Sequence, residues 1–110
     1  MEFTVTETKR CHLVRVGGRI DSSNAPELQE KLAGVVKAGA RNLVINLEEV
    51  SFLSSAGLRA LLSTLQAAKK QGGDARLAAA SEPVRRVLEL TSLDIHFKSY
   101  ATDTEAVASF

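Results

Sequence analysis

Residues 43–47 read Leu-Val-Ile-Asn-Leu, a nearly continuous run of β-type side chains between Arg41 and Glu48. A strand with one face in water alternates apolar and polar residues. A run without that alternation calls for cover on both faces, which in an α/β protein means helices packed on a mostly parallel sheet. This segment should therefore be a central strand. After Glu48-Glu49-Val50-Ser51-Phe52-Leu53 comes Ser54-Ser55-Ala56-Gly57, and then Leu58, Leu61, Leu62, Leu65 and Ala68 recur at 3, 4, 7 and 10 residues from the first. That spacing is one stripe of a helix, with Arg59, Ser63, Gln66 and Lys70 on the other face. Gln71-Gly72-Gly73-Asp74 ends it.

The flanking segments extend the pattern. Phe3 to Thr6 alternates as a half-buried strand, and Cys11 to Val16 is a second apolar run after a charged turn at Glu7 to Arg10, so the chain opens with a hairpin. Gly17-Gly18 reads as a turn. Ala25, Leu28, Leu32, Val35 and Val36 then share a helical face, capped by Ser23 or Asn24, with Pro26 in the first turn and Gly39 at the stop. Ala75 to Ala79 is a fourth strand of small side chains, and Ser81-Glu82-Pro83 opens a short helix carrying Val84, Val87 and Leu88. Ile95-His96-Phe97 is a fifth strand, and Thr102-Asp103-Thr104-Glu105 a capping box for a last helix. The order β-β-α-β-α-β-α-β-α predicts a single small α/β domain over residues 1–110, with an N-terminal β-hairpin, a mixed but mostly parallel sheet and about four helices.

Charge and composition remove several function classes. Fourteen Lys and Arg against thirteen Asp and Glu give a net charge of +1, no footprint for nucleic acid or an anionic membrane. Aromatics at 5% with no Trp do not supply a base-stacking platform. No apolar stretch is long enough for membrane insertion, and the N-terminus lacks the basic head and apolar run of a signal peptide. The single cysteine, Cys11, rules out an intrachain disulfide, and a cytoplasmic location is expected.

The devices of enzyme and cofactor chemistry are mostly missing. His12 and His96 sit in separate predicted strands without zinc-ligand spacing, and neither G-x-x-x-x-G-K-[ST] nor G-x-G-x-x-G occurs. No metal or cofactor is expected. Ser55, with Gly57 two residues later at a strand-to-helix junction, matches the second half of a hydrolase nucleophile elbow. The first half fails, because Leu53 stands where that turn needs glycine.

Ser54-Ser55-Ala56-Gly57 is what remains. A serine here can be an ordinary N-cap, accepting a hydrogen bond from early helix amides. It can also be a phosphoacceptor, since a phosphate at a helix N-terminus meets unpaired N–H groups and the positive end of the dipole, while a partner meets new negative charge.

At these residues the chain resembles the sulfate transporter and anti-sigma-factor antagonist (STAS) domain family, in particular its stand-alone bacterial antagonists. The likeness runs nearly end to end. It lies in Gly18-Arg19-Ile20-Asp21, in Leu43 to Leu47 followed by Val50-Ser51-Phe52-Leu53-Ser54-Ser55-Ala56-Gly57-Leu58, in Val84 to Leu90, and in Thr104-Glu105-Ala106. The resemblance implies a regulator and not an enzyme. Its partner would be an anti-sigma factor that is also a serine kinase: binding it releases a sigma factor, phosphorylation ends the binding, and a serine phosphatase resets the cycle. By that likeness the acceptor is Ser55, with Ser54 as the second candidate at a position where many members carry Asp. The partner-binding set is Asp21, Ser54, Ser55, Ala56, Gly57 and Arg59. Asp21 is open between a local turn residue and part of the docking surface. Arg59, one helical turn beyond Ser55, is open between solvated surface and a contact to a phosphate or partner carboxylate. The same family also supplies scaffolds and accessory subunits of signalling or lipid-transport complexes, which is the alternative function.

Overall fold

The computed structural model describes residues 1–110, and the run at 43–47 lies within its longest strand, β3 (Asn42–Leu53). Before it come β1 (Glu2–Glu7), β2 (His12–Ile20) and α1 (Ala25–Lys37). After it come α2 (Ser55–Lys70), β4 (Asp74–Ala78), α3 (Glu82–Leu90), a 3-10 turn at Leu93–Ile95, β5 (Ser99–Tyr100) and α4 (Asp103–Ala108). The five strands lie side by side in chain order. Only the β1–β2 hairpin is antiparallel, and β3 is the middle strand.

Both faces of β3 are covered. Leu43, Ile45 and Leu47 point into the main core with Leu28 and Leu32 of α1, Leu58, Leu61 and Leu65 of α2, and Val84 and Leu88 of α3. Val44 points the other way and packs with Cys11, Ala78 and Ala106 beneath α4. Asn46 faces that second layer with 3% of its surface exposed. Its amide donates from Nδ2 to Asp103 Oδ1 at 2.7 Å, its Oδ1 accepts from the Glu48 N–H at 3.0 Å, and Arg15 pairs with the same Asp103. The one polar residue of the central run is thus satisfied and ties the first turn of α4 to the sheet.

Three expectations need correcting. Gly17-Gly18 is not a turn, because β2 runs through both residues to Ile20. The parallel register with β3 shifts on either side of the pair, Gly18 has φ +94°, and a Cβ on Gly17 would stand 3.1 Å from Glu49 Cβ. The glycines form a bulge where two strands approach closely. Ile95-His96-Phe97 is not a strand either. Ser92 turns into the left-handed region at φ 60°, Leu93–Ile95 winds as a 3-10 turn and Phe97 is a buried plug of the main core. The fifth strand is Ser99–Tyr100, paired with Leu77 and Ala78. Finally, Asn24 stands at the N-cap of α1 without capping it, and Ser23 spends its hydroxyl on Asp21.

The end of α2 was readable. Gly72, at φ +82°, donates to Lys69 O at 3.0 Å and Gly73 donates to Ala68 O at 2.9 Å, the paired bonds of a Schellman motif. Gly73 also passes tightly over the start of β3, where an added Cβ would fall 1.7 Å from the Arg41 carbonyl oxygen. That neighbour is backbone and cannot swing away. Gly73→Ala should cost about 3 kcal/mol of unfolding free energy, the upper part of the overpacking range, measured by urea denaturation. Gly34→Ala, with open space at its Cβ position, should cost nothing by this route.

Candidate functional site

The Ser54 N–H donates to Ile20 O at 2.9 Å, continuing the β2–β3 pairing just beyond the Ile20–Leu53 partners. This bond sets the two strand ends side by side, so Asp21, leaving β2, lies beside the Ser54-Ser55 entrance to α2. Gly57 permits the close seating of that helix. A Cβ there would come within 2.6 Å of Leu53 Cδ1 and 2.8 Å of Ile20 Cγ2, both buried.

The two serines do different things. Ser54 is the N-cap of α2 in extended conformation, and its Oγ accepts from the Gly57 N–H at 3.2 Å. Ser55 is the first residue of the helix and is exposed, and no side-chain hydrogen bond within the chain occupies its hydroxyl. Ala56 is half-buried and packs against the main core.

Asp21 is a local organiser. Its Oδ1 accepts from both the N–H and the hydroxyl of Ser23, its carbonyl accepts from the Ala25 N–H at 2.8 Å, and its own N–H donates to Asn24 Oδ1 at 2.9 Å. The Asn24 amide in turn donates to Arg19 O at 2.8 Å, so the side chain expected to cap α1 ties down the β2–α1 turn instead. The Ser23 hydroxyl and then its N–H hold the Asp21 carboxyl below its ordinary value; desolvation opposes them, and the Asn24 N–H and the Arg19 guanidinium add lesser lowering effects. The Asp21 side chain keeps 35% of its surface exposed.

Arg19, not among the expected site residues, belongs to this end of the sheet. Its Nε lies 3.5 Å from Asp21 Oδ2, and its guanidinium stacks 4.1 Å from the Phe52 ring centroid. The signal was available: Arg19 and Asp21 are two apart, as are side chains on one face of a strand. Arg59 is exposed on α2 with no carboxylate in ion-pair range, whereas Arg15, Arg19, Arg76 and Arg86 each have one. Together with Ala56 it lines an open groove of about 720 Å³ between α1 and α2, which Ser22, Ala25, Gln29 and Glu30 line from the other side.

The structure thus brings Asp21, Ser54, Ser55, Ala56 and Gly57 to one end of the sheet and sets Arg59 one turn above. Neither histidine bonds to the serines. His12 pairs with Glu7 at 3.3 Å at the start of β2, and His96 is exposed after the 3-10 turn.

This arrangement, a hairpin followed by parallel strands with a serine-capped helix at the central strand end, defines a class. The sequence matches the family described as the STAS domain over residues 2–106, and the chain belongs to it. An anti-sigma-B factor antagonist of Bacillus subtilis (strain 168) is 40% identical over 90 residues, covering 78% of this chain and 82% of that protein. An anti-sigma-B factor antagonist of Staphylococcus aureus (strain NCTC 8325 / PS 47) is 30% identical over 106 residues, 96% of this chain and 98% of that one. The crystal structure of an anti-sigma factor antagonist from Mycobacterium paratuberculosis superposes with a TM-score of 0.88 at 34% identity, covering 98% of this chain and 92% of the other. These relatives are regulators and not enzymes. No helix is long and apolar enough to cross a membrane.

The division between the serines predicts different stabilities. Ser54→Ala removes a cap and should cost about 1 kcal/mol. Ser55→Ala, at an exposed position, should stay within about 0.5 kcal/mol of the parent in the same denaturation series. Asp21 supplies a pH test. Because folding lowers its pKa, its contribution is complete above the unfolded-state value, near pH 4, and is lost as pH falls through the folded-state value. Asp21→Asn should flatten the acid limb of stability against pH, and Ser23→Ala, which removes the largest cause, should flatten it in part.

Proposed function

We propose that this chain is an anti-sigma-factor antagonist that binds an anti-sigma factor with serine kinase activity, frees the sigma factor held there, and is switched off by phosphorylation of Ser55. The observation that carries the site is the exposed, uncommitted Ser55 hydroxyl at the start of a helix whose cap is already supplied by Ser54. The names of the relatives support the class of partner.

The physical logic is one of unequal tolerance. In the transfer, Ser55 Oγ forms a bond to the γ-phosphorus of ATP, the bond to the ADP oxygen breaks and the hydroxyl proton is released. The product carries about −1.5 to −2 charges where α2 presents the positive end of its dipole, so the fold accepts it. A partner surface shaped for a neutral hydroxyl meets desolvation and repulsion there. Asp21, Ser54, Ala56 and Arg59 beside the acceptor form the docking face, and the buried Gly57 seats the helix that carries it. A serine phosphatase restores the neutral form, and the cycle runs in the cytoplasm without direct contact to nucleic acid.

The test is intact-mass analysis with peptide mapping after incubation with ATP and the serine kinase that co-purifies from the protein's own cells. One phosphate on Ser55, absent in Ser55→Ala, is the expected result. Ser55→Ala should still bind the kinase and Ser55→Asp should bind at least tenfold more weakly, a difference of about 1.4 kcal/mol. Modification of Ser54 would move the site, and no transfer by a demonstrably active kinase would overturn the switch in favour of an unswitched scaffold or transport accessory.

A further inference from the structure

We infer that Arg59 is the group that holds a phosphate carried on Ser55. The inference rests on Ser55 being the acceptor and concerns what the chain itself does with the modification.

The first observation is the charge pattern of the helices. α1, α3 and α4 each place acids in the first turn, Glu27, Glu82, and Asp103 with Glu105, as the helix dipole favours. α2 has no acid in its first turn, and Arg59 is the first charged side chain along it. A cation near the positive end of a dipole is misplaced until an anion joins it.

The second observation is reach. Ser55 and Arg59 are four apart on one helix, both are exposed, and side chains three or four apart are surface neighbours. Helical side chains lean toward the N-terminus, which aims the long Arg59 side chain back over Ser55 and not away from it.

The third observation is availability. Arg59 has no carboxylate partner, so taking up a phosphate breaks no existing pair. The other charged groups nearby are committed or of the wrong sign. Arg19 is held between Asp21 and the Phe52 ring. Glu30, which lines the groove from α1, and Asp21 at the end of β2 would repel the phosphate. The Gly57 amide is already bonded to Ser54 Oγ. A planar guanidinium can bond two phosphate oxygens at once, which an ammonium cannot do with the same geometry.

The consequence is that Arg59 is drawn back from the groove toward the start of α2, where the phosphate holds it. The modification then removes a free cation from the docking face as well as adding negative charge to it.

The test uses protein with phosphoserine incorporated at position 55 during translation, so it needs no kinase and stands apart from whether a kinase chooses Ser55. The second ionisation of the phosphate is followed by phosphorus NMR against pH in the parent, Arg59→Gln and Arg59→Lys, at low salt. A bound guanidinium favours the dianion, so the parent should titrate about half a unit lower than Arg59→Gln, with Arg59→Lys between them. The thermal midpoint should rise on phosphorylation in the parent by more than in Arg59→Gln. Equal titration in the parent and Arg59→Gln would overturn the inference, because the dipole alone would then account for the phosphate environment. Arg59 is exposed and unpaired, so neither variant threatens the fold.

Discussion

The burial of both faces of β3 is the constraint on which the rest of this structure depends. Leu43, Ile45 and Leu47 need cover on one side and Val44 on the other, and a strand that spends its backbone bonds on two neighbours cannot provide either. Helices α1, α2 and α3 supply the thick layer and α4 the thin one. At about 2 kcal/mol for each large apolar side chain taken fully out of water, the thick layer is the dominant stabilising element. The thin layer, built from Cys11, Val44, Ala78 and Ala106, is small in apolar area, and there the polar contacts matter more. Asn46 buried without Asp103 would lose a hydrogen-bond partner, so this contact ties the first turn of α4, which Thr102 caps, to the sheet.

The same arrangement explains where the candidate site lies. Parallel strands joined through helices all present their carboxyl ends on one edge, and there the chain must leave the sheet and start a helix. β2 and β3 do so side by side, joined by the bond from the Ser54 N–H to Ile20 O. What could have been two unrelated loops becomes a single surface, with the Asp21 turn on one side and the start of α2 on the other. Gly57 sets how close the helix comes, because the Leu53 and Ile20 side chains occupy the place of its missing Cβ. The residue is part of the site through packing, not through chemistry.

Much of this was legible in the sequence, and the exceptions share a cause. Periodicity located β3, the stripe on α2 and the opening hairpin, because those elements are long enough to show a pattern and bury one face or both. β5 has two residues and no period to show; the apolar cluster before it, Ile95 to Phe97, belongs to a turn and a core plug. Gly17-Gly18 looked like punctuation because glycine usually is, yet here the pair admits a bulge and a close strand approach that only the register with Glu49 reveals. The serines were visible as a pair, but the assignment of cap and free hydroxyl was not. That depends on which side chain faces the Gly57 amide, a matter of a single backbone dihedral at the entrance to α2.

The pairing of those serines also resolves a conflict built into any modification site at a helix start. A hydroxyl that caps a helix accepts a hydrogen bond, and replacing it with a bulky phosphate would tax the structure it supports. A hydroxyl with no structural duty can change its charge while the helix stays capped. Ser54 carries the cap and the exposed Ser55 carries no structural bond, so the phosphorylation proposed at Ser55 would leave the cap of α2 in place. Under the switch proposed for Ser55, the Ser54 cap, the Gly57 contact and the Asp21 turn involve no bond to the modified hydroxyl, so the change would fall on the surface charge a partner meets.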